Sequence, residues 1–298
     1  MRIEDFGMVV ADEIRGILGS EYSIEYKEVG RNNGVTYHAL LIKREGDNIS
    51  PTIYIDGFFH EYERGTDRSK IVNDIIRLYR ENAIRDGFDA SFYTDFSNVC
   101  SRLAFKVTNY ERNKKALLDL PYKKMEDLAF VPICLVSDKI LGEGNITIKN
   151  EHLRKWEISF DELWENVWEN AAKIAPVKRR NLFDIAGNVM GDGTFFCEDL
   201  PRNMFVITNC QEMFGASAVF YPGYLEELAL EMGSDMVIIP SSVHETIVMS
   251  APDDRASLSE LIAMVKEVNR TVLAQEDFLS DCIYLYKRQE KKIVVVHE

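Results

Sequence analysis

A short segment near the C-terminus holds the residue types that could do chemistry. Four polar residues follow the apolar run that ends at Pro240: Ser241, Ser242, His244 and Glu245. Nucleophilic hydrolysis needs a serine beside a histidine, with a third group that orients the histidine. On a strand, Ser242 and His244 would share one face and Glu245 would point to the other. The alternative interpretation is a turn whose hydroxyls satisfy backbone groups, and the chain has no G-x-S-x-G elbow that would favour catalysis.

Sequence patterns that hold metals or nucleotides are missing. The segment that starts at His244 lacks the second histidine of H-E-x-x-H. His60 has no second nitrogen ligand at a useful spacing, and His38, His152 and His297 are isolated. Neither G-x-x-x-x-G-K-[ST] nor G-x-G-x-x-G occurs. We therefore expect no metal site and no cofactor.

The charge of the chain limits its partners. Its 298 residues include 35 Lys and Arg against 49 Asp and Glu, a net charge of −14. This charge repels phosphate backbones, so we expect no direct binding to nucleic acid. A strongly acidic protein can instead bind a basic surface on another protein, including a surface that normally binds nucleic acid.

The cysteines and the hydropathy indicate a compartment. The five cysteines are odd in number, widely spaced and without C-x-x-C, a pattern typical of reduced thiols. No run reaches the ~18 apolar residues that a membrane span needs, and the first residues lack the apolar core of a signal peptide. We therefore expect a cytoplasmic protein that does not contact a membrane.

Aromatic residues offer a second kind of candidate surface. Six of them flank polar turns in the first part of the chain: Phe58, Phe59, Tyr62, Phe92, Tyr93 and Phe96. If exposed, they would form a protein-binding patch, and if buried, they belong to the core. The pair Trp164 and Trp168, one helical turn apart, has the same two interpretations, of which core packing is favoured.

Hydrophobic periodicity predicts a mixture of helices and strands. Apolar residues at helical spacing predict a first helix that ends near Gly19, and Thr66 or Asp67 can cap the next one. Capping boxes begin with Ser159 and Ser257. Other helices are predicted at 110–120, 224–232 and 258–270. Strands are predicted at 21–29, 35–44, 103–107, 129–137, 203–209, 216–221, 235–240, 243–249, 282–287 and 292–296.

This order of elements predicts an α+β fold of two mixed lobes, with largely antiparallel sheets and helices packed on one face. The first lobe covers 1–175 and ends in the tryptophan helix. The segment 176–202 is polar and contains glycines, which predicts a loop or linker. The second lobe covers 203–298.

Several motifs, taken in order, resemble a known family. They are Ile49–Tyr54, Trp156–Asn170, Phe205–Asn209 with Gly215-Ala216, Tyr221-Pro222-Gly223, and Pro240–Glu245. Together they resemble an uncharacterised bacterial family, mainly from gut Firmicutes, that is catalogued as domain of unknown function 5688. The segment 156–170 is also similar to a second family of this kind. The resemblance implies a cytoplasmic bacterial protein and no particular activity or cofactor. Tyr221 and Asn209, which lie in these motifs, are our candidate binding residues.

Three functions remain open from the sequence. The leading hypothesis is a non-enzymatic protein with an accessory or regulatory role that acts by binding another protein. It rests on the missing catalytic motifs, the acidity and the aromatic residues. The second is a hydrolase that uses Ser241 or Ser242 with His244. The third is an acidic inhibitor that mimics nucleic acid and occupies a basic groove.

Overall fold

The structure is a computed structural model that describes residues 1–47, 50–83, 90–138, 142–189 and 203–296. The chain divides into two compact units. Unit 1 comprises Met1–Ser91 with Asp138–Gly142, and unit 2 comprises Phe92–Ser137 with Glu143–Glu298. Helices accompany three antiparallel sheets, so the predicted α+β fold is confirmed.

The N-terminal elements form a hairpin, a third strand and three helices. In chain order they are α1 (Ile3–Leu18), β1 (Tyr22–Gly30), β2 (Thr36–Arg44), β3 (Thr52–Tyr54), α2 (Asp56–Glu63) and α3 (Arg68–Asn82). The sheet has the order β1-β2-β3. The connection between the first two strands contains Asn33 and Gly34, both with positive φ (59° and 73°). Asn-Gly tolerates this left-handed backbone, which is why the sequence predicted a turn here.

The core of unit 1 lies between the sheet and two helices. Its buried residues include Phe6, Val10 and Ile14 of α1, Ile24, Leu40 and Ile42 of the hairpin, and Ile71, Val72, Ile75 and Ile76 of α3. The start of α3 is fixed by Asp67, whose side chain accepts a hydrogen bond from the Ser69 backbone at 3.0 Å. The predicted cap is thereby confirmed.

A glycine in α1 lets a tyrosine ring lie against the helix backbone. A Cβ at Gly7 would lie 2.6 Å from Cδ2 of Tyr26 and 3.0 Å from Cδ1 of Ile55. No real side chain fits at that separation, so the close approach of Tyr26 depends on the missing side chain of Gly7.

The elements after residue 91 form two further sheets. They are α4 (Phe96–Val99), β4 (Leu103–Asn109), α5 (Tyr110–Leu117), β5 (Lys123–Met125), β6 (Leu128–Asp138), β7 (Gly142–Thr147), α6 (Asn150–Trp156), α7 (Phe160–Ile174), β8 (Val177–Asn181), α8 (Leu182–Val189), β9 (Met204–Asn209), α9 (Tyr224–Met232), β10 (Met236–Ile239), β11 (Thr246–Ser250), α10 (Arg255–Thr271), β12 (Ile283–Lys287) and β13 (Lys292–Val296). One sheet has six strands in the order β13-β12-β10-β11-β9-β8. The other has the order β4-β6-β5, with β7 paired to β6.

The tryptophan helix α7 packs inside unit 2. It is capped as predicted, because the Ser159 side chain accepts a hydrogen bond from the Glu162 backbone at 3.1 Å. Trp164 is 1% exposed, and its indole N–H donates to the Pro121 carbonyl at 2.9 Å. The Trp168 ring meets that of Phe105 edge-on at 4.8 Å. Trp164 is therefore a core residue, as favoured, and the half-buried Trp168 packs against the buried Phe105.

The predicted division into lobes differs from the observed one. Residues 177–181 of the predicted linker form β8, which pairs antiparallel with β9, and α8 follows directly. Ala175, at the predicted boundary, accepts a hydrogen bond from the buried Tyr221 hydroxyl at 3.1 Å. The two units instead divide near residue 91. Residues 190–202, the rest of the predicted linker, lie outside the described residues.

Two local predictions are also wrong. The segment predicted as a strand at 216–221 is a 3-10 turn over Gly215–Phe220. The last helix starts earlier than predicted, because Asp254 rather than Ser257 is its cap and accepts a hydrogen bond from the Ser257 backbone at 2.8 Å. Asp is as good a cap as Ser, and both occur before α10. The sequence alone therefore did not determine which of them caps the helix.

Two glycines of α1 provide a matched test of this packing. Gly7→Ala should lower the free energy of unfolding, because overpacking against Tyr26 costs about 1–3 kcal/mol and helix propensity returns only about 0.5–1 kcal/mol. Gly16→Ala should raise it by about 0.5–1 kcal/mol, because nothing lies within 4 Å of its Cβ position. Urea denaturation followed by circular dichroism measures both. Equal stabilisation by the two substitutions would contradict the close contact at Gly7.

Candidate functional site

The polar segment 241–245 is a turn that connects β10 to β11. The Ser242 backbone N–H donates to the Glu245 carbonyl at 3.1 Å, which closes the turn. The Ser242 hydroxyl accepts a hydrogen bond from the His244 backbone at 3.0 Å. Ser242 is buried, whereas Ser241 and Glu245 are half-buried. The Ser242 hydroxyl thus satisfies a backbone group, as the alternative interpretation of this segment predicted.

Both ring nitrogens of His244 have partners. Nδ1 accepts a hydrogen bond from the Phe214 backbone N–H at 3.2 Å, and Nε2 lies 3.3 Å from Oδ1 of Asp277. The proton of the neutral ring therefore sits on Nε2 and faces the carboxylate. The ring also stacks on Phe214, with centroids 5.7 Å apart and planes at 19°. In this arrangement neither nitrogen can take a proton from a serine, so the geometry does not support His244 as a general base.

Asp277 was not among the residues chosen from the sequence. It follows α10, more than thirty residues after His244 in the chain. Its backbone carbonyl accepts a hydrogen bond from the Val243 N–H at 2.9 Å, so it holds the turn through its main chain and faces His244 with its side chain. No spacing rule connects these two positions, and only the fold brings them together.

Gly215 lets the chain pass close to β9 and to the 241–245 turn. A Cβ there would collide with Oγ1 of Thr208 and lie 2.6 Å from the His244 carbonyl oxygen. That carbonyl also accepts a hydrogen bond from the Thr208 hydroxyl at 2.8 Å. The residue before the turn, Phe214, has a left-handed backbone with φ of 52°. The chain therefore bends tightly against β9 and the 241–245 turn.

The two candidate binding residues point into unit 2. Asn209 is 4% exposed, donates to the Met213 carbonyl at 3.0 Å and accepts from the Gln211 backbone at 3.1 Å. Tyr221 is 3% exposed, and burial raises the pKa of its hydroxyl to about 12. With its hydroxyl bonded to Ala175, it has a structural role in this arrangement. The described structure gives neither residue an exposed polar group for a ligand.

The six aromatic residues of the predicted patch are half-buried. Phe58, Phe59 and Tyr62 pack against the core of unit 1. Phe92 and Phe96 contact aromatic neighbours in unit 2, at centroid distances of 6.0 Å to Tyr93 and 5.7 Å to Trp156. None of the six is exposed, so they do not form the exposed patch that a binding role would need.

A histidine belongs to this aromatic group. Nδ1 of His152 accepts a hydrogen bond from the Lys149 backbone at 3.0 Å and lies 3.2 Å from the Tyr93 hydroxyl oxygen. The Trp156 indole N–H donates to the Tyr93 carbonyl at 3.1 Å. Burial lowers the pKa of His152, and the charge of Glu151 opposes that shift only partly. Burial also raises the pKa of Tyr93. The group is therefore held in its neutral, hydrogen-bonded form.

An apolar row is exposed on α10. Met264, Val268 and Val272 follow one another at intervals of four residues and are 52%, 47% and 79% exposed. We call these three residues the α10 ridge. The buried side of the same helix includes Ile262 and Val265, which pack on β10 and β12.

None of the helices in the described ranges has both the length and the apolar character that a membrane crossing needs.

Three side chains that could ligate a metal converge in unit 1. One nitrogen of His38 and one oxygen each of Glu4 and Glu28 lie within 4.8 Å of one another. They come from β2, α1 and β1, so no local motif connects them. The only signal in the sequence was the hairpin itself, because its register places Glu28 directly opposite His38.

One family matches this chain. A family model described as "Family of unknown function (DUF5688)" matches residues 3–288, and so spans both units. No curated protein and no solved structure matches. The family has no stated activity, so the function has to be argued from the geometry.

The role of His244 can be tested by its removal. His244→Ala would leave the Phe214 N–H without its acceptor and Asp277 without its partner, so the free energy of unfolding should fall by about 1–3 kcal/mol. His60→Ala is the control, because that ring lies on the surface of α2 and its side chain is 71% exposed. Chemical denaturation compares the two. If both variants were as stable as the parent protein, the proposed structural role of His244 would be wrong.

The half-buried His152 should make stability depend on pH. Its pKa is lowered in the folded protein, so the unfolded chain takes up the proton first. The free energy of unfolding should therefore decrease as the pH falls below about 6.5 and level off below the lower, folded pKa. His152→Gln should remove this part of the profile, whereas carboxylates such as Asp254, with a lowered pKa, act only at more acidic pH. Denaturation midpoints between about pH 5 and 8 measure it, and identical profiles for the two proteins would refute the assignment.

Proposed function

The chain belongs to the DUF5688 family of unknown function, and we propose that it acts by binding another protein through the α10 ridge. The observation that carries this proposal is the exposure of Met264, Val268 and Val272 in one row along α10 and its C-terminal cap, next to the stripe of Ile262 and Val265 that packs on the sheet. Such a role is accessory or regulatory rather than catalytic.

The shape of the α10 ridge suits a protein partner. Single exposed apolar side chains are normal on a protein surface, but a contiguous row indicates a contact site. The α10 ridge spans nine residues, from Met264 to Val272, which is about 12 Å along a helix. Because Ile262 and Val265 anchor α10 on the sheet, the helix presents the ridge in a fixed position. A partner would therefore meet a preformed surface.

Charge along the helix indicates which partner fits. By helical periodicity, Glu260 and Glu267 border the α10 ridge on its solvent side. Glu267 also contacts Arg270 at 3.0 Å, but this pair is exposed and contributes little. The chain as a whole carries a charge of −14, which opposes pairing with a second copy. We therefore infer an amphipathic partner segment, with an apolar face bordered by Lys and Arg.

A reducing compartment fits this proposal. The four described cysteines are free thiols, and Cys210 is exposed. An exposed free thiol is most compatible with a cytoplasm, where thiols are kept reduced. We accordingly propose a cytoplasmic protein, and the family resemblance favours a bacterial one.

Capture experiments test the α10 ridge. The double variant Met264→Ser with Val268→Ser should lose a bound protein by about tenfold or more, because both side chains would lie in the contact. Its fold should survive, since exposed positions tolerate substitution within about 0.5 kcal/mol. The measurement is affinity capture of the tagged full chain from a lysate of the source cells, read by mass spectrometry. The partner is then purified and its affinity measured by titration.

The matched control is Leu230→Ser. Leu230 is an apolar residue on α9 that is 61% exposed, outside the α10 ridge, so its replacement should leave capture unchanged. Equal loss in the control and the ridge variant, or no partner at low or high salt, would sink the proposal. A partner that survives the ridge substitutions but dissociates in high salt would instead favour the acidic inhibitor that mimics nucleic acid.

A further inference from the structure

Unit 1 brings two carboxylates and an imidazole to one place on its hairpin. Glu28 of β1 and His38 of β2 are direct partners in the antiparallel register. Side chains at such positions lie about 5 Å apart at Cβ. Glu4, in the first turn of α1, reaches the same point, and the three candidate ligand atoms lie within 4.8 Å of one another. We call these three residues the unit 1 cluster.

A fourth residue fixes the imidazole. Oδ1 of Asp56 lies 2.8 Å from Nδ1 of His38, and Oδ2 accepts the His38 backbone N–H at 2.9 Å. This bidentate contact orients the ring and places its proton on Nδ1. The lone pair for a cation is then on Nε2. A carboxylate behind a histidine is the arrangement that orients metal-binding histidines and increases their basicity.

A buried hydroxyl beside the unit 1 cluster is without a partner. Tyr26 lies two residues before Glu28 on the same face of β1, and its ring stacks on that of His38, with centroids 6.2 Å apart. Its hydroxyl oxygen is shielded from solvent and has no hydrogen-bond partner. A buried polar group without a partner is costly. A water molecule held by a cation would supply the missing hydrogen bond.

The charges around this place are unbalanced. Glu4, Glu28 and Asp56 together bring three carboxylates near the imidazole of His38. The cation that Glu4 contacts, Arg2, is 3.9 Å away and has a side chain that is 76% exposed. A divalent ion would relieve the repulsion between the carboxylates.

We propose that Glu4, Glu28 and His38 bind a divalent transition-metal ion, with Asp56 as the residue that positions His38. One imidazole and two carboxylates form a mixed donor set, which suits Zn²⁺ better than the all-oxygen preference of Mg²⁺ or Ca²⁺. Ligand bonds of about 2.0–2.2 Å require the three atoms to approach to roughly 3 Å from one another. Glu28 is exposed and Glu4 partly so, which leaves both side chains room to close on the ion.

The ion has three protein ligands, and water completes its coordination. An open position of this kind is typical of reactive rather than purely structural zinc sites. This inference concerns unit 1 alone and is independent of the α10 ridge.

Calorimetric titration of the metal-free full chain with ZnCl₂, MnCl₂ and MgCl₂ tests the site. We expect one Zn²⁺ per chain, bound more tightly than Mn²⁺ and much more tightly than Mg²⁺. Glu28→Gln should weaken Zn²⁺ binding by about tenfold or more, and Asp56→Asn by about 10–100-fold. His38→Ala should abolish it. Zn²⁺ should also raise the melting temperature of the parent protein, and raise that of Glu28→Gln by less at the same concentration. This comparison keeps the test valid if the His38 variant does not fold.

Two controls distinguish this site from other ligands on the chain. His60→Ala removes an exposed histidine of the same unit and should leave Zn²⁺ affinity unchanged. Replacement of Zn²⁺ by Co²⁺ should give a spectrum without thiolate charge transfer, because no cysteine belongs to the unit 1 cluster. Thiolate absorption would place the ion on a cysteine such as Cys210 and overturn the proposal. So would Zn²⁺ affinity that is unchanged in Glu28→Gln, or no binding up to about 1 mM.

Discussion

Burial of one face of an antiparallel sheet beneath a helix is the constraint on which much of the described structure depends. In unit 1 the hairpin face with Ile24 and Leu40 is covered by Phe6 and its neighbours on α1. In unit 2 the strands β10 and β12 are covered by α10. Side chains alternate across a strand, so covering one face of a sheet leaves other side chains at the margin of that face. The covering helix likewise leaves part of its own surface exposed. Both proposals concern residues at such margins.

The turn at 241–245 shows how polar side chains can serve the backbone. A chain that bends as tightly as the one around Gly215 must satisfy its N–H and carbonyl groups within a small space. The hydroxyls of Thr208 and Ser242 and the ring of His244 each bond to a main-chain group there. Residue types that suggest a hydrolase are thus used to stabilise a connection between strands. The distinction depends on the partners of the ring nitrogens, which the sequence does not specify.

Local features of the fold could be predicted from the sequence to a large extent. Caps at Asp67 and Ser159 and the Asn-Gly turn were found because they depend on a few neighbouring residues. The same reasoning failed where distant segments decide the structure. Strand β8 exists because it pairs with β9 more than twenty residues away, and polar Lys and Arg side chains on its exposed positions gave no strand pattern. The segment 176–202 was predicted as a loop or linker for this reason.

The candidate sites were harder to predict, because each is made by the fold. The partners of His244 lie in segments that precede it by thirty residues or follow it by more than thirty. The unit 1 cluster needed the hairpin register to bring Glu28 opposite His38, and a helix start to add Glu4. A search for metal-binding sequence motifs could not find this cluster. Such motifs describe ligands that lie close together in the chain, whereas these three residues come from different elements.

The α10 ridge and the unit 1 cluster share one property, which is that packing does not require either. The hairpin would pair equally well if Glu28, opposite His38, were a lysine. Ile262 and Val265 would still anchor α10 if the exposed ridge were polar. Apolar exposure and like charges at close range both reduce stability or solubility. Residues that oppose the needs of folding are expected where a protein meets something else. The physical signatures differ, with apolar area in one place and concentrated negative charge in the other, and so they indicate a protein partner and a cation respectively.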